Sequence, residues 1–344
     1  MSATVNPDNI LQTRGVQRGL DAWVVAAAFN RDGACAFATG DGRILIAHKG
    51  VADWQEIAAH DGGVLSLATD LSGGWLSGGD DGRFLRIAAD GAITELANYG
   101  MKWVEHVAAA PDGKTGVVVC TVGKFVHVFA ADGKMLKSLE HPSSVTGIAF
   151  DLKGKRLAAS HYNGASVWFV ASKSDNPKRL EWKGSHTGVA MHPEAEAVVT
   201  AMQENSLHGW RLTETQHMRM TGYPSKTNAI GFTKNGKWLA SSGADSIVLW
   251  PFFGGGPMGK APTELAGGDD IICTMIAVHP LSEVVAAGFA DGMVVVADIS
   301  SSRILPVADS GRGPISALAW NDNGTLLGIG TETGFAAVVD FSKK

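Results

Sequence analysis

The chain has 344 residues, of which 18% are charged and 45% are apolar, and its formal net charge is −5. No run of Lys or Arg stands out, which argues against a nucleic-acid partner. No apolar stretch approaches the roughly eighteen residues of a membrane-spanning helix, and the N-terminus MSATVNPDNILQTRGVQRG lacks the apolar core of a secretory signal. We therefore expect a cytoplasmic protein without membrane insertion.

A unit of about forty residues recurs eight times along the chain. In each unit a first chain reversal is followed, nine or ten residues later, by a second turn. The first reversals fall at Gly33, Gly73, Gly113, Gly154, Ala195, Gly236, Ser282 and Gly324, and the second turns at Gly42, Gly82, Gly123, Gly164, Asn205, Ser246, Gly292 and Gly334. A period in this range is the signature of a repeat architecture, in which each unit needs its neighbours to bury its apolar face.

The fourth unit shows what one copy predicts. Residues 144–170 read as an apolar run, a polar turn, a second apolar run, an Asn163-Gly164 turn and a third apolar run. Asn-Gly between short apolar runs is a strong hairpin signal, because both turn residues take positive φ. A fourth, more polar stretch follows in each unit, so four antiparallel strands per unit predict one blade of a β-propeller.

The resulting fold prediction is all-β: an eight-bladed β-propeller of four-stranded antiparallel blades. The alternative is seven blades, if the first or last unit fails to form a complete blade. The predicted organisation is an N-terminal tail at 1–10 and one propeller at 11–341, with units at about 21–60, 61–100, 101–142, 143–184, 185–224, 225–270, 271–312 and 313–341. The eighth unit lacks a fourth strand of its own, so we expect 11–18 to supply it and close the ring without an open edge.

Several stretches resemble the WD repeat, the Trp-Asp family of β-propellers. Pro111-Asp112-Gly113 matches a family motif, Ser77 to Gly82 reads SGGDDG, and Ser241 to Trp250 reads SSGADSIVLW. Trp210 also stands at the family's third-strand tryptophan, but no unit carries the literal Trp-Asp pair, so the copies are divergent. The resemblance covers roughly residues 20–341. It implies a rigid, non-catalytic platform for protein–protein interaction.

The resemblance also implies a hydrogen-bonded chain of His, Ser or Thr, Asp and Trp within a blade. The matching residues are His60, Ser77 and Asp81 in the second unit, His186, Thr200, Glu204 and Trp210 in the fifth, and Ser241, Asp245 and Trp250 in the sixth. Such a set looks like a catalytic triad. We interpret it as structural, because a satisfied polar chain stiffens a blade and no residues are placed to form an oxyanion hole.

Metal-ligand spacing is missing from the sequence. None of the eleven histidines forms an i, i+4 helical pair or a Cys/His cluster, and Cys35, Cys120 and Cys273 lie in separate apolar runs that predict buried, reduced thiols. A propeller can still gather ligands around its axis, and His106 and His161 are the candidates for such a site. A metal-dependent, lactonase-like hydrolase with a site in the central channel is therefore the alternative function, and no cofactor is expected.

The expected partner-binding surface is the top face around the third and fourth units, where aromatic and charged residues cluster as in binding hot spots. The candidates there are Tyr99, Lys102, Trp103, Glu105, His161 and Tyr162, with Gln203, Phe289 and Arg312 as weaker candidates on the same rim. The alternative for Trp103 is that it caps the core at the start of its blade.

The long connection after Trp250 gives a third hypothesis. Residues 251–270 read PFFGGGPMGKAPTELAGGDD and are expected on the bottom face, where Phe252, Phe253 and Met258 are candidates for partner contact. The glycine run lacks the spacing of a phosphate-binding loop. A flexible insertion is the simplest interpretation, and a contact that embeds the chain in a larger assembly is the other.

Overall fold

A computed structural model describes residues 6–49, 53–111, 114–174, 176–214, 216–268 and 270–342. Within these ranges, thirty strands and one helix form seven antiparallel sheets. Five sheets are four-stranded and come from one unit each. They are β2–β5 (Val24–Phe29, Cys35–Thr39, Arg43–Ala47, Gln55–Ala58), β6–β9 (Val64–Thr69, Trp75–Gly79, Arg83–Ile87, Ile93–Asn98), β10–β13 (Val104–Ala109, Val117–Val122, Phe125–Ala130, Met135–Glu140), β20–β23 (Ile230–Phe232, Trp238–Ser241, Ile247–Pro251, Thr263–Leu265) and β24–β27 (Cys273–Val278, Val284–Phe289, Val294–Asp298, Ile304–Ala308).

The other two sheets depart from that plan. One has six strands, β14–β19 (Gly147–Phe150, Arg156–Phe169, Lys178–Met191, Ala197–Met202, Ser206–Arg211, His217–Met220). The last joins β28–β30 (Ile315–Trp320, Leu326–Thr331, Phe335–Asp340) to β1 (Gly15–Gly19), which follows the short helix α1 (Asn9–Arg14). The first strands of neighbouring sheets contact one another around the ring, except that the six-stranded sheet contacts β20 through β16, and β2 contacts β28, so the sheets close into a propeller.

The expectation of eight separate blades is wrong, and the alternative count of seven is confirmed. The units that merge are the fourth and fifth, not the first or last. Elsewhere a turn separates each strand from the next, whereas here Tyr162 stays paired with Ser185, and Gly164 with Glu181, so β15 and β16 run on without a break. β15 folds back on itself, since the Val170 amide donates to the Lys155 carbonyl at 3.0 Å.

Closure by N-terminal sequence is confirmed. β1 pairs antiparallel with β30, with Gly15 opposite Val339 and Gly19 opposite Phe335. The strand begins later than the expected 11–18, because Asn9–Arg14 forms a helix that buries Leu11. Of the motif at 111–113, Asp112 and Gly113 lie outside the described residues. No helix in the described parts of the chain is long and apolar enough to cross a bilayer.

The second turns are tight because the backbone of the turn packs directly against the backbone of the connection to the next blade. Gly82 has φ +80°, and a Cβ on it would lie 1.9 Å from the carbonyl oxygen of Gly100. Only glycine fits such a position without moving the connection to the next blade. The turn thereby fixes where the top-face segment at 99–103 leaves the second blade.

The apolar core lies between blades, and Trp75 shows its energetics. Its side chain is fully buried, and its indole Nε1 donates to the Ala28 carbonyl of the preceding blade at 2.9 Å. We expect Trp75→Ala to lower the free energy of unfolding by about 3–5 kcal/mol, because it leaves a large cavity between the blades. Urea denaturation measures the change. Trp75→Phe should cost clearly less, and equal losses would contradict a packing role for the indole.

Candidate partner-binding face

The top face collects the second turns and the starts of the first strands, because each blade is an antiparallel meander. Trp103 lies immediately before β10, and its side chain is 57% exposed. Met101 is 98% exposed, and Lys102 between them is also exposed. Trp103 therefore does not cap the core, and this segment presents a large apolar surface to solvent.

Tyr99 and Glu105 flank that segment but are partly buried. The Tyr99 ring stacks on His127 with ring centroids 4.7 Å apart, and burial raises the pKa of its hydroxyl. Glu105 lies on β10, and burial raises the pKa of its carboxyl group. Because both residues are partly buried, they hold the 101–103 segment in place and offer little surface of their own for a partner to contact.

On the fourth unit, Tyr162 is 57% exposed, whereas its neighbour His161 is buried. The His161 Nδ1 donates to the Tyr162 carbonyl at 2.9 Å, and its Nε2 accepts from Ser166 Oγ at 3.0 Å. Burial lowers the pKa of His161, which keeps the ring neutral. A cavity of about 620 Å³ opens beside these residues, between the Pro142–Ser143 connection and β16.

One exposed tryptophan escaped the sequence reasoning. Trp23 is 53% exposed just before β2. It precedes Ala28 by five residues, and Trp103 precedes Ala108 by the same interval, so the two tryptophans occupy equivalent positions in the first and third units. Aligning the units on their alanine column would have revealed the pair.

Two of the weaker rim candidates use their side chains for contacts within the protein. Phe289 is only 1% exposed and packs in an apolar cluster, so the expectation that it lies on the rim is wrong. Arg312 forms a salt bridge with Asp8 and lies 5.1 Å over the Phe335 ring, which anchors the N-terminal segment. Gln203 is exposed at the turn after β17.

The connection after β22 folds back onto its own blade. Phe252 is partly buried and meets Phe232 edge to face at 4.8 Å. Phe253 packs edge to face on Trp238 at 5.1 Å, although its ring remains 47% exposed. Met258 is 46% exposed. Two adjacent phenylalanines are thus explained mainly by contacts within the sixth unit.

The second unit contains the expected polar chain. The His60 Nδ1 donates to the Asp81 carboxylate at 2.9 Å, and the His60 Nε2 accepts from Ser77 Oγ at 2.9 Å. Burial lowers the pKa of His60. Burial alone would raise the pKa of Asp81, but hydrogen bonds from His60 and from the Arg83 amide outweigh it and lower the pKa. The three side chains thus satisfy one another's hydrogen-bonding groups, and these hydrogen bonds fix the second turn of the unit.

The fifth unit forms only part of such a chain. The imidazole of His186 lies 2.7 Å from Thr200 Oγ1 through Nδ1 and 2.9 Å from the Trp182 carbonyl through Nε2. Trp210 packs against His186 but directs its Nε1 to the Glu181 carbonyl at 3.4 Å. Glu204 is exposed rather than part of this chain.

In the sixth unit a tyrosine that the sequence reasoning missed takes the histidine position. Tyr223 OH lies 2.6 Å from Ser241 Oγ and accepts from Trp250 Nε1 at 2.7 Å. Asp245 is half-buried and not part of the hydrogen bonds that join these three. His141 plays the corresponding part in the fourth unit, where its Nε2 accepts from Trp168 Nε1 at 2.9 Å. Both missed residues precede the first strand of their unit, as His60 does.

Metal ligands do not converge in the described ranges, where no three His, Cys, Asp or Glu side chains form a ligand set. Burial lowers the pKa of His106 to about 4, and both ring nitrogens of His161 already have protein partners. Cys35, Cys120 and Cys273 are buried free thiols. Burial raises the pKa of the latter two to about 12, so they are poor nucleophiles.

Comparison with known proteins supports the repeat family. Residues 54–84 match the family described as WD domain, G-beta repeat. The match covers a single segment, and the propeller architecture of the remaining sheets is consistent with divergent copies of that repeat. The crystal structure of a computationally designed protein, Ika8, is similar in fold, with a TM-score of 0.75 at 20% identity over 94% of this chain and 98% of that one.

Three curated proteins are similar in sequence. Telomerase protein component 1 of Mus musculus is 24% identical over 65% of this chain, autophagy-related protein 16 of Arabidopsis thaliana is 20% identical over 82%, and U3 small nucleolar RNA-associated protein 21 of Saccharomyces cerevisiae is 22% identical over 45%. The matched regions span 8%, 56% and 17% of those proteins, respectively. This chain therefore resembles one part of each relative.

Proposed function

We propose that this WD-repeat propeller is a non-catalytic scaffold that binds a partner protein on its top face. The observation that carries the proposal is the upper aromatic surface, defined by Trp23, Met101, Trp103 and Tyr162, each at least 53% exposed. Large aromatic and methionine side chains are costly to leave in water and are enriched at interface hot spots. Four of them at one end of the blades favour a binding face.

A scaffold role also agrees with the remaining chemistry. The triad-like residues of the second and sixth units are hydrogen-bonded to one another and stiffen their blades. Two relatives are named as a component of telomerase and as a protein associated with U3 small nucleolar RNA, which fits a part within a larger assembly. The three free thiols suit a reducing compartment such as the cytoplasm.

The test is capture of a partner by the tagged full-length chain from its own host, followed by affinity measurement with the purified partner. Trp103→Ala combined with Tyr162→Ala should weaken binding by about a hundredfold, because each truncation removes a large exposed contact. The melting temperature should stay unchanged, since both side chains are 57% exposed.

Phe253→Ala combined with Met258→Ala provides the matched control. It removes two large, comparably exposed side chains from the connection after β22, on the opposite face. The control variant should bind the partner as the wild type does. Undiminished binding by the Trp103/Tyr162 variant, or loss of binding in the control, would contradict the proposed face.

A further inference from the structure

Three successive units share one structural position at the start of the first strand, which Trp23, Gly63 and Trp103 occupy. Each residue directly precedes the first strand of its sheet, β2, β6 or β10. The strands β2 and β10 both contact β6, so the glycine lies between the two tryptophans around the ring. Sheets that pack face to face lie about 10 Å apart, so the two tryptophan backbones stand about 20 Å apart on either side of it.

The second unit exchanges the large and the small residue of this region. In the first unit, the Gly40 amide donates to the Trp23 carbonyl at 2.9 Å. In the second unit, the Asp80 amide donates to the Gly63 carbonyl at 3.1 Å. The strand start is therefore large and the turn residue small in the first unit, whereas in the second unit the turn supplies the side chain.

Gly62 leaves room for that side chain. A Cβ on Gly62 would lie 1.9 Å from Asp80 Oδ1, and a Cβ on Gly63 would lie 3.6 Å from Asp80 Oδ2. Neither glycine has a positive φ, so the backbone conformation does not require glycine here. The two glycines and the carboxylate that lies against them form what we call the glycine notch.

The Asp80 carboxylate has no hydrogen bond or salt bridge within the described ranges, although the side chain is partly buried. Its acidic neighbours are paired instead. Asp81 lies 2.9 Å from the ring nitrogen of His60, and Asp41 lies 2.7 Å from the guanidinium of Arg43. Asp80 is thus the second-turn carboxylate that the fold of these units leaves without a partner.

Unpaired charge around the notch is negative. Asp21 and Asp61 are exposed and, like Asp80, form no salt bridge in the part of the chain that the structure describes. Lys102 is an exposed cation nearby. Burial and the Lys102 ammonium lower the pKa of His127, which places that ammonium near β12 of the third unit. Three carboxylates against one ammonium favour a cationic ligand.

The flanking indoles are free to contact such a ligand. Trp23 and Trp103 are 53% and 57% exposed. Among the described residues, neither indole stacks on another aromatic ring, and neither Nε1–H group has an acceptor. The face of an indole attracts a cation more strongly than any other aromatic side chain does. A cation bound to the notch would therefore have an indole on each side.

We propose that the glycine notch between Trp23 and Trp103 binds an arginine side chain of the partner protein. The guanidinium donates two parallel N–H bonds to the Asp80 carboxylate, and its flat faces lie against the flanking indoles. A lysine ammonium is a compact point charge that cannot make both contacts in this way. The inference rests on the proposed function and names the side chain by which the partner is recognised.

Indole ¹H–¹⁵N NMR signals of the full-length chain report binding at the site itself. Trp23→Phe and Trp103→Phe assign the two signals. The peptide acetyl-Ser-Arg-Ser-amide should shift these signals more than those of the other tryptophans, and the shifts should saturate. The same peptide with citrulline, which keeps the shape of arginine without its charge, should bind at least about tenfold more weakly. Equal affinity for the two peptides, or shifts confined to other tryptophans, would overturn the proposal.

Two isosteric variants locate the carboxylate that acts. Asp80→Asn should weaken binding of the arginine peptide at least about tenfold, because it removes a charge-assisted hydrogen bond. Asp322→Asn removes the same charge from an exposed turn after β28 and should leave the affinity unchanged. Calcium ions are the third probe. If calcium shifts the two indole signals and the arginine peptide does not, the carboxylates bind metal and the arginine proposal is wrong.

Failure of this inference and failure of the proposed function have different signatures. If partner binding requires Trp103 and Tyr162 but Asp80→Asn binds the arginine peptide as the wild type does, the scaffold role stands and the arginine site does not. If the peptide binds through Asp80 while the Trp103/Tyr162 variant binds its partner normally, the notch is an arginine site but the top-face assignment falls.

Discussion

Acidification from pH 7.5 to pH 5.0 is expected to reduce the stability of the propeller by several kcal/mol. Burial lowers the pKa of His106 to about 4, and burial together with the nearby His161 lowers the pKa of His141 to about 4. Unfolding returns each imidazole to a pKa near 6.5, so between pH 6.5 and pH 4 the unfolded chain binds more protons than the folded chain. Stability is therefore lost as the pH falls, by about 2 kcal/mol per histidine at pH 5.0.

His141 shows the structural reason. Its Nε2 accepts from the Trp168 indole at 2.9 Å, and its Nδ1 faces the Lys124 carbonyl at 3.2 Å. A second ring proton would sit on Nε2 and abolish the bond from Trp168. The folded state therefore requires neutral imidazole.

Urea unfolding at both pH values measures the effect. His141→Gln and His106→Gln should each reduce the stability difference between pH 7.5 and pH 5.0 by about 2 kcal/mol, whatever their cost at pH 7.5. His48→Gln, at a partly exposed site, serves as the control and should leave the difference unchanged. If all three variants lose as much stability on acidification as the wild type, protonation of His106 and His141 is not its cause.

Deletion of residues 1–19 is expected to open the ring. It removes β1, which is the strand that covers the edge of β30. It also removes Leu11, which is 1% exposed, and the Asp8–Arg312 salt bridge. Loss of a buried leucine alone costs about 2–5 kcal/mol, and an uncovered strand edge invites pairing with other chains.

The truncated chain should therefore have a melting temperature at least about 10 °C lower than that of the full chain. Light scattering should show that it self-associates at concentrations where the full chain is monodisperse. Deletion of residues 1–5 alone is the control. A synthetic peptide of residues 6–19 added in trans should restore part of the melting temperature. A truncated chain with unchanged melting and no association would show that closure contributes little.

The sequence predicted the repeat, the strand order within a unit and the closure, because glycine turns at a fixed period constrain the chain locally. It missed the merger of the fourth and fifth units. That merger depends on Tyr162 pairing with Ser185, which stands 23 residues later in the chain, and such a contact has no local signal in the sequence. It also missed α1, which forms where Leu11 finds an apolar site against the last two units.

Side-chain exposure was predicted correctly for Trp103 and Tyr162, which are each 57% exposed, whereas their role in binding stays a prediction. It was wrong for Phe289, because the end of a strand was taken to be at the surface, whereas β25 is buried on both faces from Val285 to Phe289. Tyr223 escaped notice because a family pattern of histidine hides a tyrosine that makes the same hydrogen bonds.

The most direct test of the top-face assignment is hydrogen–deuterium exchange of the full-length chain with and without its purified partner. Protection of peptides covering residues 99–106 and 160–164, with none at 251–262, is the result that we expect. Protection confined to 251–262, or absent from both top-face segments, would contradict the assignment and place the partner elsewhere on the propeller.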